Sequence, residues 1–257
     1  MNDPDRNASG FLVEVPDALR YTPLPTGTEG HDPTENIGAI REIVPSGSRV
    51  LDVGCGTGWV AKELKDKKGC EVIGVEPNES RAEVARSHGI QVHVGYLEDL
   101  RIEEVDRFDI VLFGDVLEHL SDPLSILCDA KRYLRPGGSV VVSVPNVAHW
   151  MVRLDLLRGR FNYQASGIMD ATHLRWFTEK TLRLLLENAG YRIDEWRVTC
   201  GNWMPEYARK RPFRWMRESH RHRLVKRMTR WFPRLFACQY IMRASIQDAP
   251  NGQDRSR

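Results

Sequence analysis

The chain has 257 residues, 28% of them charged and 41% hydrophobic, with a formal net charge of +2. That length fits one α/β domain with insertions, and the charge balance creates no global field selecting nucleic acid or an acidic partner. Cys55, Cys70, Cys128, Cys200 and Cys238 form no C-x-x-C pair and read as buried free thiols; with a polar N-terminus and no uncharged run of bilayer-spanning length, the expected location is cytoplasmic.

Residues 1–35, rich in Pro, Gly, Asp and Thr, read as an irregular lead-in in which Tyr21 and His31 are the residues to follow. A short helix over 37–44 stops at Pro45-Ser46-Gly47. The run Arg49-Val50-Leu51-Asp52-Val53 then reads as a buried parallel strand. It ends in Gly54, Gly56 and Gly58, after which helical spacing resumes at Trp59, Val60 and Leu64. Glycines at a strand-to-helix turn let a ligand approach the main chain. Two acids strengthen the signal: Asp52 before the bend, and Glu76 at the tip of the next strand, placed to accept from ribose hydroxyls. No Gly-Lys-Ser/Thr follows, which removes a nucleotide-phosphate loop, and the third glycine comes one residue early for a nicotinamide fingerprint.

Strands over 71–75, 90–94, 108–113 and 138–144 alternate with helices over 58–67, 78–88 and 121–134, which predicts a parallel sheet covered on both faces. Residues 145–177 interrupt that alternation above the ligand edge, and a helix from Thr178 and a strand from Tyr191 return to the sheet. The last strand is expected over 236–246. Between Pro205 and Arg234 eleven lysines and arginines face two glutamates, with Leu224, Met228 and Trp231 on one helical face. Such a stretch suits an anionic membrane surface; a solvated helix packed on the sheet is the plainer reading, and a nucleic-acid surface a third.

These features together resemble the class I S-adenosylmethionine (SAM) methyltransferases. The resemblance rests on Leu51-Asp52-Val53-Gly54-Cys55-Gly56-Thr57-Gly58, on Glu76, on Phe108-Asp109-Ile110-Val111 with Asp115-Val116-Leu117-Glu118-His119-Leu120, and on Leu134-Arg135-Pro136-Gly137-Gly138. It covers residues 36–200. It implies an α/β, Rossmann-like seven-stranded sheet with its final strand antiparallel, helices on both faces, a cap over 145–177, a basic helical insertion over 200–235 and a disordered tail over 247–257. The domain then spans 36–246. The implied cofactor is SAM, held by Asp52, Gly54, Cys55, Gly56, Gly58, Glu76, Pro77, Leu97, Glu98 and Asp115. Where many relatives carry Gly-Asp after the third strand, this chain has Gly95-Tyr96-Leu97-Glu98-Asp99. Leu97 then supplies a backbone N–H and apolar cover while Glu98 or Asp99 stands in for the missing acid, or Tyr96 stacks on the purine, or the stretch is a solvated loop with a weaker site.

Acids and an imidazole at i, i+3 and i+4 on one helical turn converge, and Asp115-x-x-Glu118-His119 has that spacing. It resembles the Glu-x-x-Glu-His element of ubiquinone-biosynthesis and small-RNA 2′-O-methyltransferases, in which a magnesium-type ion is held with a later histidine, here His173. Asp115 is one methylene shorter than the acid of that element. Glu118, His119 and His173 are therefore the candidate catalytic residues, with proton acceptance by a histidine as one reading, a divalent metal (Mg²⁺) as a second, and a structural role in which Glu118 and His119 only fix the strand-to-helix turn as a third. His149 reads as a third histidine at the same edge or as packing beneath the cap, and Arg153, Arg158, Arg160 and Arg175 are candidate clamps for an acceptor oxyanion. Residues 145–190 and 233–239 resemble methyltransferases of bacterial glycan and specialised-metabolite pathways. The expected reaction is O-methylation of a sugar hydroxyl on a glycan or small metabolite, with a lipid-linked glycan at the inner membrane face as one form of the acceptor. The alternatives are methylation of a quinone, natural product or RNA end, or a non-catalytic methyltransferase-like partner protein.

Overall fold

The computed structural model describes residues 36–101, 107–164, 166–201, 207 and 213–247. The expectations for residues 1–35 with Tyr21 and His31, for Arg209, Lys210 and Arg211 of the basic stretch, and for the tail from 248 onward lie outside the described residues.

Five apolar runs pair in parallel: β1 (Arg49–Val53), β2 (Glu71–Glu76), β3 (Gln91–Val94), β4 (Phe108–Gly114) and β5 (Leu134–Pro145). β7 (Gln239–Ile246) inserts antiparallel between β5 and β6 (Tyr191–Thr199), giving the order β3-β2-β1-β4-β5-β7-β6. The expected seven-stranded sheet with an antiparallel final strand is therefore present. Successive strand residues face opposite sides, so the same strands build two cores. Val50, Ile110, Leu112, Val141 and Ile241 pack under α1 (Asn36–Ile43), α2 (Trp59–Lys68) and α3 (Glu79–Ser87). Leu51, Val111, Phe113, Val142 and Met242 pack under α4 (Pro123–Ala130) and α6 (Glu179–Asn188).

Local chemistry sets the helix ends. Asn78 accepts from the Arg81 N–H, and Asp122 from the Ser125 N–H at 3.1 Å with Pro123 in the first helical position. The helix expected over 121–134 thus spans Pro123–Ala130. A 3-10 turn, Lys131–Tyr133, follows, and β5 starts early because Leu134 already pairs with Phe108 ahead of an irregularity in the ladder.

The two insertions share a third core. Met151 and Val152 of α5 (Trp150–Leu157) meet Ile168 and Met169 of the cap, Tyr207 and Phe213, and Val225 of the basic helix Glu218–Trp231. Three expectations are corrected. The basic helix turns Leu224, Val225, Met228 and Thr229 inward, while Trp231 is 61% exposed with the Arg227 guanidinium 4.4 Å from its ring centroid. Residues 236–238 are not strand: Phe236 closes a short helix, Pro233–Phe236, and pairing begins at Gln239. Cys128 is exposed, the other four cysteines being buried. Its position on α4 falls outside the inward stripe of Pro123, Leu127 and Ala130.

Candidate functional site

A cavity of about 1010 Å³ opens at the carboxyl ends of the central strands, where parallel α/β sheets gather ligands. It exceeds the room one drug-sized ligand needs. The glycine bend forms one wall. Gly54 sits at φ +68°, and a Cβ there would lie 2.8 Å from Val116 Cγ2; a side chain would be both strained and obstructed. The Gly54 and Cys55 N–H groups donate to the Val75 carbonyl at 2.7 and 3.1 Å. Glu76 is buried and accepts from the N–H groups of Gly56 and Asn78, both at 2.9 Å, so its carboxylate ties the bend to the tip of β2.

Gly54, Cys55, Gly56, Glu76, Pro77, Leu97, Glu98 and Asp115 all line the cavity. Asp52 and Gly58 do not. Asp52 lies one residue further back on β1 with its Oδ2 buried and unpartnered, and burial followed by the Glu76 charge pushes its carboxyl up to about 7. Gly58 lies against α3, where a Cβ would meet that of Ala85 at 2.8 Å. The Cys55 thiol is pushed up by burial and then by the Asp52 and Glu76 charges, which leaves it a packing group filling the space beside Gly74.

Beyond β3, Asp99 accepts from the Tyr96 N–H at 3.0 Å and closes a 3-10 turn, Leu97–Asp99. Asp99 is thus committed locally, whereas Glu98 remains on the wall beside Tyr96, which is 62% exposed. The Tyr133 hydroxyl donates to the Leu97 carbonyl at 2.6 Å and fixes the turn from below.

The expected convergence of Asp115, Glu118 and His119 on one helical turn is corrected. Asp115 adopts φ +55°, the single non-glycine residue with positive φ among those described, a conformation costing about 1–3 kcal/mol. Its carboxylate accepts from Asn36 Nδ2 at 2.6 Å, Ser143 Oγ at 2.8 Å and Gln239 Nε2 at 3.0 Å, which offsets that strain and commits both oxygens. Sequence reasoning missed these three donors; the polar Gln239 at the head of an apolar strand was the available signal.

A tighter group forms without Asp115. Glu118 and His119 lie on a 3-10 turn, Leu117–His119, and the Leu174 and Arg175 N–H groups strap the cap to the Glu118 carbonyl at 2.8 and 2.9 Å. That strap brings His173 against His119, ring centroids 4.9 Å apart, and ligand atoms of Glu118, His119 and His173 lie within 4.8 Å of one another. Glu118 is 1% exposed and neither carboxylate oxygen has a hydrogen-bond partner. Burial and then the Asp115 charge hold its pKa well above the carboxylate range. Burial and then His119 hold His173 below the ordinary imidazole range. His173 Nδ1 lies 3.3 Å from the Ile168 carbonyl and donates to it, which makes Nε2 the acceptor nitrogen of the neutral ring.

His149 is elsewhere: fully buried, it caps α5 and reaches the Tyr207 hydroxyl at 3.1 Å. The four arginines also miss the main cavity. Arg175 donates to the Ser121 carbonyl, Arg158 and Arg160 are exposed, and Arg153 lines a second cavity.

Residues 29–195 match the family model described as a methyltransferase domain. A ubiquinone biosynthesis O-methyltransferase of Xylella fastidiosa (strain 9a5c) is 34% identical over 176 residues, covering 62% of this chain and 70% of the relative. The corresponding enzyme of Hahella chejuensis is 38% identical over 112 residues, 41% of this chain, and the chain spans less than half, 46%, of that relative. Among solved structures, Haemonchus contortus phosphoethanolamine N-methyltransferase 2 with bound SAM aligns at TM-score 0.55 and 17% identity, covering 83% of this chain and 52% of that one. A SAM-dependent methyltransferase of Thermotoga maritima aligns at TM-score 0.55 and 21% identity, covering 81% and 86%. At those identities the structural likeness speaks to the fold.

Proposed function

Since the chain belongs to the family of SAM-dependent methyltransferases, we propose that SAM lies along the glycine bend and that the methyl group passes to a hydroxyl oxygen of a small acceptor beneath the cap. The observation that carries this reading is the Glu118–His119–His173 group on the wall of the same cavity. Transfer from a sulfonium to an oxygen is an in-line displacement: the new C–O bond forms as the C–S bond breaks, and the hydroxyl proton must leave. Holding the two reactants in line supplies much of the rate. An alcohol needs a proton acceptor beyond that, and a neutral His173, oriented through its Nδ1–H, is one at neutral pH.

In this reading Gly54, Cys55, Gly56 and Glu76 hold the amino-acid and ribose parts of SAM. Pro77, Leu97 and Glu98 line the purine end, and Asp52 acts from behind the bend. The same three catalytic candidates suit a divalent cation. Two unpartnered buried oxygens and two imidazoles combine the nitrogen preferred by zinc or iron with the carboxylate preferred by magnesium or manganese. Such an ion would lower the pKa of the acceptor hydroxyl. The relatives' named activity favours a phenolic or quinol-type hydroxyl, and the sugar hydroxyl expected from the cap sequence is the second reading.

Incubation with labelled SAM and panels of phenols and sugars, read by mass spectrometry, tests the choice. Label on a nitrogen or carbon, with none on oxygen, removes the O-methyl reading. A non-catalytic role would instead show as SAM binding with no product from either panel or from the host's small-molecule extract.

No helix among the described residues is long and apolar enough to cross a membrane. The basic helix Glu218–Trp231, with Trp215, Trp231 and Phe232 exposed, supports peripheral contact with anionic lipid. Vesicle co-sedimentation unchanged when Arg221, Arg223 and Arg227 become Gln would remove that contact.

A further inference from the structure

A second cavity, about 490 Å³, lies between the start of the cap and α6. It is separated from the main one by the pleat of β7. Gln239 turns its side chain to Asp115, and Tyr240, the next residue, lines the second cavity instead. Three guanidinium groups on this cavity are each fixed through Nε. Arg153 donates to the Ala148 carbonyl at 2.6 Å, while Arg183 and Arg234 donate to the two oxygens of Glu179 at 2.9 and 2.7 Å. No other hydrogen bond among the described residues engages their terminal amino groups, and Lys180 on the same wall has no ion-pair partner there. Four cations therefore face two carboxylates, Glu179 and Glu187, and Glu179 is already shared between two of the arginines.

The tyrosine is the second, independent sign. Tyr240 is fully buried and its hydroxyl has no hydrogen-bond partner. Phenylalanine would fill the same strand position without a buried unsatisfied hydroxyl, so packing alone does not account for this residue. Tyr240 lines the cavity together with Glu179, Arg234 and Arg153, which puts the unpartnered residue on the charged wall. Oriented guanidinium forks with a hydroxyl donor and a lysine form a donor-rich cradle suited to a tetrahedral oxyanion.

We propose that this cavity binds a phosphate group, either free in solution or on the headgroup of an anionic lipid. The half-exposed Leu184 on its rim and the exposed Phe232 near Arg234 would lie beside the acyl region in the second case.

The test uses the full chain in two arms: calorimetric titration with inorganic phosphate and pyrophosphate, and co-sedimentation with phosphatidylglycerol against phosphatidylcholine vesicles. Binding in the first arm identifies free phosphate as the source, and binding in the second arm alone identifies the lipid headgroup. Tyr240→Phe should weaken that binding by roughly tenfold, the value of a hydrogen bond to a charged group, with a melting temperature equal to or above that of the wild type and unchanged SAM affinity. The double variant Arg153→Gln/Lys180→Gln, altered at exposed positions, should lose at least as much. Absence of binding in both arms, or binding indifferent to both variants, overturns the proposal.

Discussion

Replacing Asp52 by Asn probes the cost of keeping an acid behind the glycine bend. Its carboxyl is pushed from 3.8 to about 7 by burial and then by Glu76. The folded state therefore keeps its proton over a range in which the unfolded chain has released it, and the wild type loses stability as pH rises from about 4 to about 7. At about 1.36 kcal/mol per pH unit, that interval amounts to roughly 4 kcal/mol. Asn does not titrate, but its amide inherits a buried position where Asp52 Oδ2 has no partner, which returns about 1–3 kcal/mol. Asp52→Asn should therefore be more stable than the wild type at pH 8 by about 1–3 kcal/mol, or roughly 2–12 °C in Tm for a chain of this size. The gain should vanish or change sign near pH 4. Paired thermal melts from pH 4 to pH 8 measure the difference, which cancels the slopes contributed by Glu118 and other acids. Because Asp52 lies behind the bend on which SAM is proposed to rest, the variant should also bind SAM more weakly at pH 8, where the wild-type carboxylate is charged. A stability gap that stays constant with pH would refute the electrostatic account of Asp52.

Gly54→Ala should lose about 1–3 kcal/mol from the positive φ alone, plus the clash with Val116; adding Val116→Ala should recover the clash and leave the backbone share, as urea unfolding can resolve. His173→Gln should lower kcat far more than SAM affinity and abolish the acid limb of the wild-type rate profile, which should fall below the ordinary imidazole pKa because burial and His119 depress His173; a limb unchanged in the variant assigns the proton elsewhere. Chelation separates the two readings of Glu118, His119 and His173. Loss of activity restored by added Mn²⁺, Mg²⁺ or Zn²⁺, with Glu118→Gln abolishing the restoration, marks them as ligands, whereas insensitivity leaves them a proton-transfer and packing role.

The sheet was legible because buried parallel strands announce themselves as Val- and Ile-rich runs between helix caps, and Gly54, Gly56 and Gly58 marked the turn at which the ligand cavity begins. Element ends shifted where tertiary pairing intervened, as at Leu134, whose partner Phe108 draws it into β5 four residues early. The site was legible as a set of residue types but less so as a geometry. The i, i+3, i+4 spacing assumes an α-helix, and Asp115 breaks that assumption by entering the left-handed region to reach Asn36, Ser143 and Gln239, of which Gln239 lies 124 residues away in sequence. The arginines of the cap gave no sign of direction, because Arg153 meets Arg183 and Arg234 only once α6 and the basic insertion have folded back on β7.

The central claim is that the bend tied down by Glu76 receives SAM. A crystal grown with the demethylated product, S-adenosylhomocysteine, measures it most directly. The nucleoside should lie along Gly54, Cys55 and Gly56 with its ribose at Glu76 and its sulfur directed toward His173. Density for the ligand at any other place, with the bend vacant, would contradict the account.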